Sequence, residues 1–345
     1  MFDRLVGNQR VKDILRRMIA ARRVPGAMLF AGEDGVGKKL FALEVAKALN
    51  CRDPQGVEGC DHCASCLRVG RLAARASDDG EPNKGISWSE HTDVGLVRPP
   101  GKFILVSQMR EIEREANFRP YEGAARFFLI EDADKLNEAS SNALLKTLEE
   151  PPPTSYLILI TSRPAALLPT IRSRCQIIRF APLAPAEIEA HLARDGEFSA
   201  RDARLLARLA GGSIGRALST DLETYRQQRE AMLDVLAALA VTGDRARLLR
   251  AAEELNDAKR KDEYEPRLDI LETLVHDVWA LKLGATDAQV VNDDLRDQLR
   301  KVGARLRPER AARWLSQIEA LRGQLGVNIN RKVATDSLFL SMAEE

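Results

Sequence analysis

Residues 26–40, GAMLFAGEDGVGKKL, constrain this chain more than any other segment. A short apolar run ends in Gly32, glycines recur at Gly35 and Gly37, and a helical pattern, KKLFALEVAKAL, follows at once. The apolar run has the length and composition of a buried strand, so the glycine-rich turn joins the end of a strand to the start of a helix. In that setting successive backbone N–H groups curl toward an anion, the helix adds its positive N-terminus, and Lys38 reaches the outer phosphates of a nucleotide. The pattern is G-x-x-x-x-G-K-[ST] in all but its last place, where Lys39 stands instead of Ser or Thr. The absent hydroxyl is the group that ordinarily ligates Mg2+, and an ammonium cannot ligate a cation. Gly32, Gly35, Gly37, Lys38 and Lys39 are therefore expected to admit the phosphates of ATP, with Lys39 as a fixed positive charge, while Mg2+ binding and metal-assisted hydrolysis suffer. These residues leave open whether the loop is filled in the cell.

A pocket of this kind is completed by an apolar strand ending in carboxylates. FFLIEDAD supplies Glu131, Asp132 and Asp134. The commoner order in such ATPases is Asp then Glu, the Glu polarising water; here Glu131 precedes Asp132, so the carboxylate in the base position is one methylene shorter. Small misplacements of a catalytic group cost orders of magnitude in rate. Both alterations, Lys39 and the Glu131–Asp132 order, point toward weak hydrolysis or none.

The surrounding pattern alternates strand-like and helical segments from residue 1 to about 182. GAMLFAG, ARFFLIEDADKL, SYLILITS and RCQIIRFAPL read as buried strands, and NEASSNALLKTLEE as a helix capped by Asn137 and stopped by Pro151–Pro153. Strands alternating with helices imply a mainly parallel sheet covered on both faces. Residues 68–100, which include RASDDGEPNKGISWSEHTD, interrupt the pattern and read as a polar surface loop. Residues 183–222 form three short helical patterns, and residues 223–345 an all-helical domain with thin Pro and Gly. His91 and Asp93 form a His-x-Asp step before a strand, and the sequence alone assigns no role to them or to Lys102.

Cys51, Cys60, Cys63 and Cys66 are spaced C-x8-C-x2-C-x2-C within a module at about 50–67. Four thiolates close a tetrahedral shell around Zn2+ and leave no position for substrate, so the expected metal is structural. Such a cluster in a cytosolic chain suggests metal before disulfide. His62 is a spare ligand that four cysteines make unnecessary, and Cys175 stands apart as a small buried residue. No window approaches the ~20 consecutive apolar residues of a membrane span, and the N-terminus MFDRLVGNQR lacks a basic-then-apolar signal. A cytoplasmic chain without membrane partners is expected. The 52 basic residues balance 51 acidic ones, so there is no global attraction to nucleic acid. Aromatic residues at 5% argue against a base-stacking surface, and no basic helix follows the cysteines as a DNA-binding zinc module would require.

Taken together, the phosphate loop, the four-cysteine module, LLKTLEEPP at 144–152, Ser173-Arg174-Cys175 and the tail GVNINRKVATDSLFL at 326–340 occur in one order. In that combination the chain resembles, over its whole length, the bacterial DNA polymerase III clamp-loader family of tau/gamma and delta prime subunits. The resemblance implies an α/β AAA+ fold: a RecA-like parallel sheet domain with a small zinc module, a three-helix lid and an all-α C-terminal collar. It also implies assembly with tau/gamma and delta subunits into a five-subunit ring that places the sliding clamp on primed DNA. It makes Arg174 an arginine finger presented to ATP on a neighbouring subunit, where a guanidinium stabilises the charge of the transferring phosphoryl group. Thr161, closing SYLILIT, takes the place of the family's sensor threonine. In GGSIGRAL, 211–218, the place of the motor subunits' phosphate-sensing Arg is held by Gly215, with Arg216 one residue and ~100° along the helix. These departures favour a delta prime-type subunit with little ATPase of its own. The alternative is an ATP-hydrolysing motor subunit of tau/gamma type, or another AAA+ remodelling ATPase, since Lys38 and two carboxylates are retained.

Overall fold

In the computed structural model the chain divides into two compact units, Met1–Ala203 with Ala210–Leu218, and Arg204–Leu209 with Ser219–Glu345. The structure describes residues 1–71, 84–194, 196–286, 290–325 and 329–344.

The first unit is built on a six-stranded sheet in the order β2-β3-β4-β5-β1-β6. The strands are β1 (Ala27–Ala31), β2 (Ser87–Trp88), β3 (Val94–Val97), β4 (Arg126–Ile130), β5 (Ser155–Thr161) and β6 (Gln176–Arg179). All neighbours pair in parallel except β2, which runs antiparallel to β3. The central strands are mostly apolar because both faces are covered, and their side chains alternate between two cores. Met28, Phe30, Phe127, Leu129, Ile158 and Ile160 meet α1 (Gln9–Ala20) and α2 (Lys38–Asn50) on one face. Leu29, Phe128, Ile130, Leu157 and Leu159 meet α4 (Val106–Ala116) and α5 (Glu138–Glu149) on the other. A short α3 (Ala64–Gly70) follows the cysteines. Asn137 caps α5 as expected, accepting from the Ser140 N–H.

The expected loop at 68–100 is corrected within the described residues. Residues 72–83 lie outside them, but α3 runs into the start of the span and β2 and β3 occupy its end. Val94, Leu96 and Val97 are buried. Four apolar residues in a polar surround carry no periodicity of their own; pairing with Phe127–Ile130 of β4 makes VGLV a strand. The same region assigns Asp93 a role. Fully buried, it accepts from the N–H groups of Tyr121 (2.7 Å), Glu122 (2.9 Å) and Gly123 (2.8 Å), and Arg126 Nε lies 3.7 Å away. It fixes the turn that leads into β4. His91, also buried, lies with its Nδ1 3.3 Å from the Asp93 nitrogen, and burial lowers its pKa.

A short α6 (Pro169–Arg172) lies between β5 and β6, and after β6 come the three expected short helices, α7 (Pro185–Arg194), α8 (Ala200–Leu209) and α9 (Ile214–Ser219). The division between the two units runs through α8. The second unit is helical: α10 (Leu222–Ala237), α11 (Arg245–Leu255), α12 (Tyr264–Lys282), α13 (Arg296–Gly303), α14 (Pro308–Leu325) and α15 (Arg331–Glu344). They share a core around Leu271, Leu274, Trp314, Ile318 and Phe339. The fold class is the expected one, an α/β unit with a mostly parallel sheet and a helical C-terminal region.

Candidate nucleotide loop and cysteine cluster

Between β1 and α2 the chain turns through Gly35 at φ +74° and Gly37 at φ +95°, backbone angles that L side chains rarely adopt. Gly37 is the N-cap of α2, so the turn delivers Lys38 and Lys39 as the first residues of that helix. The strand–loop–helix setting expected from the sequence is present. The loop's two lysines, however, are paired with groups of the protein itself. Lys38 is 5% exposed, and its Nζ donates to the carbonyls of Gly32 (2.5 Å) and Glu33 (2.7 Å), with Asp34 Oδ1 at 3.6 Å. Burial pushes its ammonium below the ordinary lysine range, against the pull of Asp34. Lys39 Nζ stands 3.2 Å from Glu131 Oε1, and Glu131 Oε2 also accepts from Arg98 Nε at 2.6 Å.

A second close approach seals the loop from the side of α9. Gly215 N donates to Gly35 O at 2.9 Å. A Cβ on Gly35 would fall 2.2 Å from Ser213 Oγ, and one on Gly215 would fall 2.9 Å from Gly35 Cα. Two backbones touch here because neither glycine carries a side chain. Arg216 is exposed, with Nη1 3.4 Å from where a Cβ on Gly211 would sit, while Gly215 is the residue that meets the loop.

The carboxylates after β4 separate. Glu131 faces Lys39, whereas Asp132, at φ +48°, pairs with Lys135 at 2.9 Å. Thr161 Oγ1 donates to Asp134 Oδ1 at 2.7 Å, and Asp134 also accepts from Arg163. Burial works to raise the Asp134 pKa, but the Thr161 hydroxyl and Arg163 hold it below the usual range. The structure thus brings Lys39 and Glu131 together and ties Thr161 to Asp134. Arg98 and Arg163 were not among the sequence-derived site residues. Asp134 was visible as the last acid of EDAD, but nothing local to it indicates Thr161.

Arg174 lies elsewhere on this unit, just after α6. Its Nε and Nη2 donate to Glu149 Oε2 at 3.2 and 3.1 Å, and its Nη1 to the Thr170 carbonyl at 3.2 Å.

The four cysteine sulfurs converge, all within 4.8 Å of one another. Cys51 and Cys63 Sγ are 3.9 Å apart, and Cys60 and Cys66 Sγ 4.0 Å. A tetrahedral shell with metal–sulfur bonds of about 2.3 Å has sulfur–sulfur edges of about 3.8 Å, so the spacing fits a bound metal. The N–H groups of Cys60, Cys63 and Cys66 point at Cys51, Cys60 and Cys63 Sγ, at 3.3, 3.2 and 3.5 Å, which favours thiolates. Burial works to raise the Cys63 pKa, yet N–H donors from Cys66 and Arg52 outweigh it and hold that thiol down to about 6, whereas burial pushes the Cys51 and Cys66 thiols up. His62 is turned to Asp53 and the Cys60 carbonyl and stands outside the cluster. Cys175 is buried apart from it, and burial pushes its thiol up to about 12.

No helix among the described residues is long and apolar enough to cross a membrane. Residues 7–184 match the family model described as DNA polymerase III, delta subunit, and residues 224–342 the model of its C-terminal part. DNA polymerase III subunit delta prime of Escherichia coli is 33% identical over 319 residues, covering 91% of this chain and 87% of that protein. The delta prime subunit of Bacillus subtilis is 27% identical over 97% of this chain and 96% of its own length. The gamma/tau subunit of Mycobacterium tuberculosis is 28% identical over the whole chain, which spans 62% of that longer protein. Among solved structures, a gamma subunit-related protein from Thermotoga maritima aligns over 96% of this chain and 98% of its own, at 19% identity and a TM-score of 0.43. The sequence match along nearly the full length, with both family models in order, means that the chain belongs to the DNA polymerase III delta prime family.

Proposed function

We propose that this chain is a clamp-loader subunit that completes the ring with tau/gamma and delta subunits, donates Arg174 to ATP on a neighbour, and hydrolyses little or no ATP itself. The ring places the sliding clamp on primed DNA; α7–α9 act as the lid and the C-terminal helices as the collar that holds the subunits together. The observation that carries the non-hydrolytic reading is the Lys39–Glu131 pair, 3.2 Å apart. One partner stands where a hydroxyl would ligate Mg2+, the other where a carboxylate would, so an ammonium of single positive charge meets the carboxylate in place of the divalent cation. Lys38, folded onto its own loop carbonyls, supports the same reading. Cys51, Cys60, Cys63 and Cys66 hold a structural Zn2+ that ties the α2–α3 connection together.

The test is the loader reconstituted from its native subunits. Arg174→Ala is expected to lower turnover at the neighbouring site by about 10³-fold or more, the range known for supplied arginine fingers. Unchanged turnover would remove the finger assignment. The isolated chain is expected to show no Mg2+-dependent ATPase. Mg2+-dependent turnover by the chain alone would place it with the motor subunits instead.

A further inference from the structure

Arg174 is held on two sides before any partner arrives. A guanidinium has five N–H donors. Three are used here: the Nε and one Nη2 hydrogen on Glu149 Oε2, and one Nη1 hydrogen on the Thr170 carbonyl. One N–H remains on each Nη. Nε and Nη2 form one edge of the planar group, so Glu149 grips that edge and leaves a pair of donors beyond it.

The two anchors are fixed by different elements. Glu149 is the last residue of α5, which Pro151–Pro153 prevent from continuing. Thr170 belongs to α6, and Ile171 of that helix packs in the same core as Leu144 and Leu148 of α5. The Glu149 side chain is 60% exposed and that of Arg174 31%. An ion pair so open to water adds little to folding stability. It does fix the plane of the guanidinium, and a planar fork recognises a phosphoryl group only when correctly turned.

We propose that Glu149 is a positioning residue for Arg174: it holds the guanidinium by its Nε edge so that the two remaining N–H groups face the phosphate of a neighbouring subunit. This rests on the finger reading of Arg174, and the experiment separates the two. In the reconstituted loader, steady-state ATPase would be measured for Glu149→Ala, Glu149→Gln, Arg174→Ala and the Glu149→Ala/Arg174→Ala pair, with zinc content and melting temperature as controls of fold. Glu149→Ala is expected to lower kcat by about 10- to 100-fold, up to the loss that a small misplacement of a catalytic group causes, with KM for ATP nearly unchanged. Glu149→Gln keeps an oxygen acceptor at the same reach and is expected to retain most of the turnover. The double variant is expected to fall no further than Arg174→Ala. Wild-type or faster turnover in Glu149→Ala, beside a strong loss in Arg174→Ala, would overturn the positioning role and leave the finger standing. Equal losses in Glu149→Gln and Glu149→Ala would overturn it too, making charge rather than orientation the contribution. Unchanged turnover in Arg174→Ala would remove both readings.

Discussion

The phosphate loop and the cysteine cluster are both sequence motifs for a ligand, and they differ in what their atoms are doing. At the cysteines, four sulfurs face one another with spacing that fits a metal, supported by backbone N–H groups. In the loop, Lys38 is bonded to the Gly32 and Glu33 carbonyls, Lys39 is paired with Glu131, and Gly35 accepts from Gly215. Four sulfurs held this close are stabilised as thiolates by a cation among them. In the loop both lysines already have protein partners. A motif therefore names a chemistry, but the bonding of its atoms decides whether that chemistry still needs a ligand.

The largest expected effect is at the cysteines. Structural Zn2+ sites contribute about 10–16 kcal/mol of apparent binding energy in zinc-finger peptides, part of which is folding energy. Cys66→Ser is expected to abolish stoichiometric zinc binding, measured by elemental analysis, and to expose α3 to proteolysis. A variant that kept its melting temperature after losing the metal would break the contrast. A smaller effect is expected at the glycine contact. Gly215→Ala places a methyl 2.9 Å from Gly35 Cα, and overpacking of this kind costs about 1–3 kcal/mol. Denaturant unfolding should show that loss; an unchanged midpoint would mean that α9 moves away freely and the loop is less closed than it looks. The smallest stability change is expected for Lys39→Thr, which removes one partly exposed ion pair worth about 0–1 kcal/mol. Its use is diagnostic. Threonine supplies the missing hydroxyl and releases Glu131, so fluorescent ATP analogue binding should become more dependent on Mg2+ than in the parent chain. No gain in Mg2+ dependence would show that the ion pair is not what excludes the metal.

Much of the architecture was readable because its signals are local. The apolar runs of β1, β4, β5 and β6, the Asn137 cap and the proline stop of α5 are properties of consecutive residues. β3 was not readable: VGLV is short, and its strand character comes from β4 beside it. Asp93 looked idle because its three N–H donors and Arg126 lie 28 to 33 positions later in the chain.

The candidate sites divide in the same way. The sequence by itself determined which groups are available: three loop glycines, two lysines, the acids after β4, four cysteines at metal-ligand spacing and an arginine after a short helix. Their order along the chain was enough to indicate the family. Only the tertiary structure decided how those groups are used. It placed Lys39 against Glu131, Thr161 against Asp134, Gly215 against Gly35 and Glu149 against Arg174. Each of these contacts joins residues from separate elements, brought together by packing on the sheet. Local periodicity and spacing contain no term for such a meeting, because its distance is set by how whole strands and helices stack.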